Sequence, residues 1–302
     1  MRKFVVLAGG LGNQLFQIAA ALSATSENIY AITCIGEPRK HLGQVEISDL
    51  DFGGRIIFPS CSRSHTISRK AFLGLLSLAT NRRHLFAKTL FRLPILSLIS
   101  LIITVHLRSP AFPKVSIGVG YDPDFSSRKG NLYVGYFQTY RIEQSAKALL
   151  ISALDKYSQS HPNLSQQQLD LVIHSRLGDY KNEASFGIIG QEYFSRTLDI
   201  LGQETDIDKI GLFSDEPILA KQQMPSRYRD LIKVIESIDD TPLLVLLKMR
   251  SARNYILSNS TFGWWAAFTS VPENVFVPRP WFNEGETPQD LLPESWIKVE
   301  KN

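Results

Sequence analysis

The sequence predicts an α/β protein built from two doubly wound units that face each other across a cleft. Three observations predict it. The chain opens strand–turn–helix in "KFVVLAGGLGNQLFQIAAALSA". Strand-like and helix-like runs then alternate, the pattern of βα units on a parallel sheet. Finally, the polar, turn-rich "SHPNLSQQQ", residues 160–168, separates a first series of such units from a second. That boundary predicts an N-terminal domain over 1–158 and a C-terminal domain over 159–302. With 302 residues, 44% hydrophobic and 21% charged, the chain suits two soluble globular domains.

Lys3–Ala8 is the first strand. Its basic start and apolar core mimic a secretion signal, but the run is too short and flows into glycines instead of a cleavage site. A cytoplasmic protein is therefore expected. "QLFQIAAALSA" follows as a helix and "IYAITCI" as a second strand.

Residues 55–115 are a basic, leucine-rich insert of helical character. Between Asp51 and Asp122 there is no carboxylate but ten Lys or Arg, leaving 23 basic against 29 acidic residues elsewhere in a chain of net charge +4. Interleaved with "FLGLLSLA" and "LPILSLISLIITV", these charges read as an amphipathic surface for an anionic membrane, or as the solvated face of a core insert. The uncharged run Leu93–His106 is 14 residues, short of the roughly 20 that span a bilayer. Nucleic acid is not expected as a partner, because the segment is poor in aromatics on which bases stack. "NLYVGYFQTY" then has strand character and "RIEQSAKALLISALDKYSQ" helical spacing.

The second series reads "LDLVIHSR" strand, "GQEYFSRTLDIL" helix, "KIGLFSD" strand, "PLLVLLKMRSA" helix, "NYILSN" strand, "TFGWWAAFTS" helix and "NVFVP" as a final strand. Cys34 and Cys61 suggest buried small hydrophobes, not a disulfide framework. Scattered histidines and three isolated D-x-D pairs predict no metal centre.

Three stretches carry chemistry. The opening glycines lack the third glycine and the well-placed acid of a dinucleotide fingerprint. What survives is that Gly9, Gly10 and Gly12 permit tight turning, while Asn13 and Gln14 stand at a helix start with amides that donate and accept hydrogen bonds. For Asn13 alone, plain helix capping competes. In "LVIHSRLGDYKN", His174 and Arg176 point to one face at a strand end. Singly, each has a structural explanation; together before the Gly178 turn they suit a diphosphate, with Asp179 orienting the guanidinium or capping the next element. In "ILSNSTFGWWAAF", Asn259, Ser260 and Thr261 open a helix whose hydroxyls and N–H groups form an anion site, or merely cap it. Asp215 in "FSDEP" ends another strand at the same level. The two tryptophans are expected in the core.

In this order, "GGLGNQLFQIA", "VGYFQTY", "VIHSRLGDY", "LFSDE", "ILSNSTFGWWAAF" and "FVPRPWF" resemble the α-1,2-fucosyltransferases, glycosyltransferase family 11. The resemblance spans nearly the whole chain except 55–115. It implies a GT-B arrangement and inverting, metal-independent transfer of L-fucose from GDP-fucose to the 2-hydroxyl of a galactoside, with no cofactor. Bacterial surface-polysaccharide or O-antigen synthesis follows, on a galactose-containing acceptor that is lipid-linked if the basic segment meets the inner face of the plasma membrane. By that resemblance Arg176 and Asn13 are catalytic. His174, Arg176, Asp179, Asp215, Asp240, Asn259, Ser260 and Thr261 hold the donor, and Gly10, Gly12, Asn13 and Gln14 form the acceptor side. Two departures stand out: Leu177 replaces a second arginine, and Val245 replaces a carboxylate, which leaves Asp240 as the candidate for guanine recognition. No general base falls in a matched motif. The competing functions are another nucleotide-sugar-dependent transferase and a non-catalytic glycan-binding protein.

Overall fold

Short apolar strands alternating with helices give two parallel sheets in the computed structural model, which describes residues 2–35, 46–58, 66–68, 115–118, 131–162, 164, 168–182, 186–204, 207–237, 239–283, 287 and 290–301. The chain divides into two compact α/β units of Rossmann type, the composition that GT-B requires. One comprises Met1–Tyr157 with Pro288–Leu291, the other Ser158–Thr287 with Leu292–Asn302.

In the first unit the strands are β1 (Lys3–Leu7), β2 (Ile29–Ile35), β3 (Ile56–Ile57), β4 (Thr66–Ser68), β5 (Val115–Gly118) and β6 (Leu132–Gly135). They lie in the order β3-β2-β1-β6-β5, with β4 also on β2, and every pair is parallel. Phe4–Leu7 are all buried, as a central parallel strand covered on both faces demands. Helix α1 (Leu11–Ala24) buries Leu11, Leu15, Ile18 and Leu22, one stripe at helical spacing. Helix α2 (Gln144–Gln159) buries a narrower stripe of Ala146, Leu150, Ala153 and Leu154.

A linear boundary misses one part of this unit. The Asp290 carbonyl accepts from the Tyr140 N–H at 2.7 Å and from Thr139 Oγ1 at 3.0 Å. Its carboxylate pairs with Arg141 Nε at 2.8 Å. These bonds tie a late segment of the chain to the stretch that follows β6.

The second unit holds β7 (Leu171–Ser175), α3 (Gln191–Glu204), β8 (Ile210–Ser214), α4 (Pro217–Gln223), α5 (Ser226–Arg229) and β9 (Ile232–Val234). They are followed by α6 (Pro242–Met249), β10 (Asn254–Leu257), α7 (Thr261–Phe268), β11 (Asn274–Arg279) and β12 (Ile297–Glu300). Its order is β12-β11-β10-β7-β8-β9, again wholly parallel. "NVFVP" is thus not the final strand. The more polar β12 pairs with β11 and ends the sheet. Trp264 and Trp265 are fully buried, as expected of core residues.

In each sheet the strand order reverses beside the first strand, between β1 and β6 and between β7 and β10. Ligands of doubly wound sheets bind outside the carboxyl ends of the strands at such points. Most of 55–115 and Cys61 lie outside the described residues. Among those described, no helix is long and apolar enough to cross a membrane.

Candidate active site

At the switch point of the second unit, β7 and β10 run in register with Leu257 opposite His174. The Ser258 N–H donates to the His174 carbonyl at 2.8 Å, and Ser258 Oγ accepts the Arg176 N–H at 3.1 Å. The same hydroxyl lies 3.3 Å from His174 Nδ1. One serine therefore joins both strand ends where His174 and Arg176 emerge.

Burial, followed by the charge of Arg176, pulls His174 down to about pH 4, and Asp215 opposes the shift. The imidazole is neutral at physiological pH, which suits a positioning group and not a proton carrier. Helix α7 starts directly over it. A Cβ on Gly263 would stand 2.8 Å from Nδ1, so only glycine lets the helix start approach this closely.

Arg176 is held by two carboxylates. Its Nε donates to Asp179 Oδ1 at 2.8 Å, and its Nη1 lies 3.2 Å from Asp215 Oδ2. Asp215 is occupied further: Oδ1 accepts the Leu177 N–H at 2.9 Å and Oδ2 the Gly178 N–H at 3.0 Å. Asp179 thus takes the orienting role that its position offered, and Asp215 is a second brace on the guanidinium. Its remaining nitrogen, Nη2, carries no hydrogen bond among the described residues.

Ser260 caps α7 by accepting the Phe262 N–H at 3.3 Å, a role that still leaves its hydroxyl proton to give. Thr261 is the first helical residue. Asn259 is 1% exposed and holds the fold: Nδ2 donates to the carbonyls of Phe186 at 2.8 Å and Trp281 at 2.9 Å. Asp240 is paired with Lys248 Nζ at 2.5 Å. Leu177, between Arg176 and Gly178, is fully buried in the core.

Sequence reasoning missed two residues of this region. The Tyr180 hydroxyl donates to the Asn259 carbonyl at 3.2 Å. The buried Lys301 ammonium bonds Trp281 O at 3.1 Å and Asn283 Oδ1 at 2.9 Å, and burial lowers it to about 8. Tyr180 lay inside a matched motif; a lone lysine near the chain end has no signal.

The corresponding turn of the first unit differs from the sequence expectation. Gly9 alone has a positive φ, +80°, and a Cβ there would meet Asn13 Nδ2 at 2.7 Å. Gly10 is the extended N-cap of α1 with open space around it, and Gly12 is buried in the first turn. Asn13, third in the helix, does not cap it. Its Oδ1 accepts from Gln138 Nε2 at 3.1 Å, a partner that "VGYFQTY" supplies from beyond β6. Gln14 is buried and donates to the Gly9 carbonyl at 3.0 Å. Gln17, overlooked in the sequence, bridges both strand ends: it accepts from Ala8 N at 2.9 Å and donates to Gly135 O at 2.9 Å. Among the described residues no cluster of three or more His, Cys, Asp or Glu is placed to hold a metal ion.

The model of the family described as "Glycosyl transferase family 11" matches residues 122–300. An alpha-1,2-colitosyltransferase of Escherichia coli is 25% identical over 98% of both chains. The O-antigen biosynthesis glycosyltransferase WbnK of Escherichia coli is 22% identical over 97% of this chain and 99% of its own. Among solved structures, NodZ alpha-1,6-fucosyltransferase soaked with GDP-fucose is similar at TM-score 0.45 and 12% identity, over 89% of this chain and 93% of that one.

Proposed function

The chain belongs to glycosyl transferase family 11 and is a glycosyltransferase, and from that premise we propose that it transfers L-fucose from GDP-β-L-fucose to the 2-hydroxyl of a galactoside. Transfer proceeds with inversion and without metal, in the assembly of an O-antigen. The observation that carries this reading is the braced Arg176 beside the start of α7.

Departure of the diphosphate builds negative charge, and a preorganised guanidinium with helix-start N–H groups answers it. Arg176 presents Nη2 to the departing phosphate. Ser260, Thr261 and the N–H groups of the first turn of α7 take further phosphate oxygens. His174, neutral and wedged under Gly263, holds strand end and helix start at fixed spacing. In the first unit Gln138 occupies Asn13 Oδ1, so the Asn13 amide has N–H groups to offer an acceptor hydroxyl. It is a donor there and not a base. The acceptor is lipid-linked, and the basic segment 55–115 keeps the enzyme at an anionic surface.

The colitosyltransferase relative favours a second reading, in which the sugar is colitose, a fucose lacking the 3-hydroxyl. A donor panel decides between them. Transfer to a β-galactoside is followed by mass spectrometry with GDP-fucose, GDP-colitose, GDP-mannose and UDP-galactose. GDP-fucose is expected to turn over fastest. Faster GDP-colitose turnover supports the second reading, and exclusive use of UDP-galactose refutes both.

A further inference from the structure

Lys301 is the one buried lysine, arginine, aspartate or glutamate among the described residues, and no carboxylate there pairs with it. Its ammonium meets Asn283 Oδ1 at 2.9 Å, the Trp281 carbonyl at 3.1 Å and the Phe186 carbonyl at 3.5 Å. Burial lowers it to about 8, so these neutral acceptors do not offset the desolvation of the charge. A charge in that position costs the fold stability, and its place calls for another explanation.

The explanation lies in what the lysine holds. Phe186 and Trp281 are the same two carbonyls that accept from Asn259 Nδ2, at 2.8 and 2.9 Å. Asn259 Oδ1 is buried with no hydrogen-bond partner among the described residues, so those carbonyls alone orient the amide. Their surroundings are fixed as well. The Phe186 ring stacks on Tyr180, centroids 4.7 Å apart, and the Tyr180 hydroxyl donates to the Asn259 carbonyl. Gly187 has a φ of +68°, and a Cβ there would overlap the Asn283 amide that meets Lys301. An ammonium serves three acceptors from one atom, which neither an amide nor a hydroxyl can do. Asn259 directly precedes Ser260, the cap of α7.

We propose that Lys301 is a positioning residue of the transferase: by gripping the Phe186 and Trp281 carbonyls it fixes Asn259 and, with it, the start of α7 where the diphosphate rests. The inference rests on the donor reading above, which places phosphate oxygens at Ser260, Thr261 and the first-turn N–H groups.

Calorimetric GDP binding, thermal melts and transfer kinetics of the full chain test it, with Lys301→Met, Ser260→Ala, their double variant and Arg176→Ala. Methionine keeps an unbranched apolar stem and removes the charge with its three donors. Lys301→Met is expected to melt no lower than wild type, because an uncompensated buried charge is gone. It is nevertheless expected to bind GDP about fivefold more weakly, the worth of about one hydrogen bond at the helix start. The KM for the galactoside is expected to stay unchanged while kcat/KM for GDP-fucose falls. In Ser260→Ala the effect of Lys301→Met is expected to shrink, since both act on the same contact. Failure of Lys301→Met to fold, or wild-type GDP affinity in the folded variant, marks a structural residue and overturns the proposal. Strictly additive losses with Ser260→Ala overturn it too. GDP binding that needs Arg176 but ignores Lys301→Met leaves the donor reading standing. Binding that ignores Arg176→Ala overturns both.

Discussion

His174 makes the stability of the second unit depend on pH in a way that can be calculated. An unfolded histidine titrates near 6.5, whereas burial and the Arg176 charge hold the folded one near 4. Between those values the unfolded chain binds the extra proton, so stability is whole above pH 6.5 and drains as pH falls toward 4. The full difference is about 3 kcal/mol, of which about 2 kcal/mol is lost between pH 7.5 and pH 5.0. All four tryptophans, Trp264, Trp265, Trp281 and Trp296, belong to the second unit, so their fluorescence reports its unfolding selectively. Urea unfolding of wild type and His174→Gln at the two pH values isolates the contribution. Wild type is expected to lose about 2 kcal/mol more than the variant, a glutamine having no proton to gain. Equal losses in the two proteins refute the buried, neutral imidazole and the packing of α7 over it.

Other perturbations separate the parts of the site. Arg176→Ala is expected to lower transfer by at least about 10²–10³-fold with an unchanged tryptophan-monitored melt, because the side chain is braced at the surface and not packed in the core. Gly263→Ala drives a methyl into His174 and is expected to cost about 1–3 kcal/mol in urea unfolding, together with most of the activity. Gln138→Ala releases Asn13 and is expected to lower kcat/KM for the acceptor about fivefold, the worth of about 1 kcal/mol, with nucleotide binding by calorimetry unchanged. Excess EDTA is expected to leave initial rates intact; a loss restored by Mn²⁺ contradicts metal-free departure of the diphosphate.

The alternation of strands and helices in the second unit is legible because β7, β8 and β10 are central and read as near-continuous apolar runs. β9 and β12 escaped for the opposite reason. They carry polar residues, "IKV" and "IKVE", and their pairing is decided by neighbours far along the chain. The return of Pro288–Leu291 to the first unit has no local signature, since its bonds cross about 150 residues.

At the site, the approach of His174, Arg176 and Ser258 follows from strand ends at a switch point, which periodicity and turn signals expose. The duties of the carboxylates do not. Asp215 reaches Leu177 and Gly178 across 38 and 37 residues, and from sequence it looks as free to bind a donor as to brace an arginine. The glycines of the first turn divide likewise. Gly9 is required by its φ and by Asn13, while Gly10 has open space around it. Gln17 and Gln138 show that the glutamines near that turn serve two ends, one closing the sheet and one aiming Asn13.

The most direct test of the central claim is an NMR reading of the product formed from GDP-β-L-fucose and a β-galactoside with EDTA present. An α-linked fucose on the galactose 2-hydroxyl, formed by wild type and not by Arg176→Ala, is the predicted result. A β-linked product, attachment at another hydroxyl, or equal yield from Arg176→Ala contradicts the account.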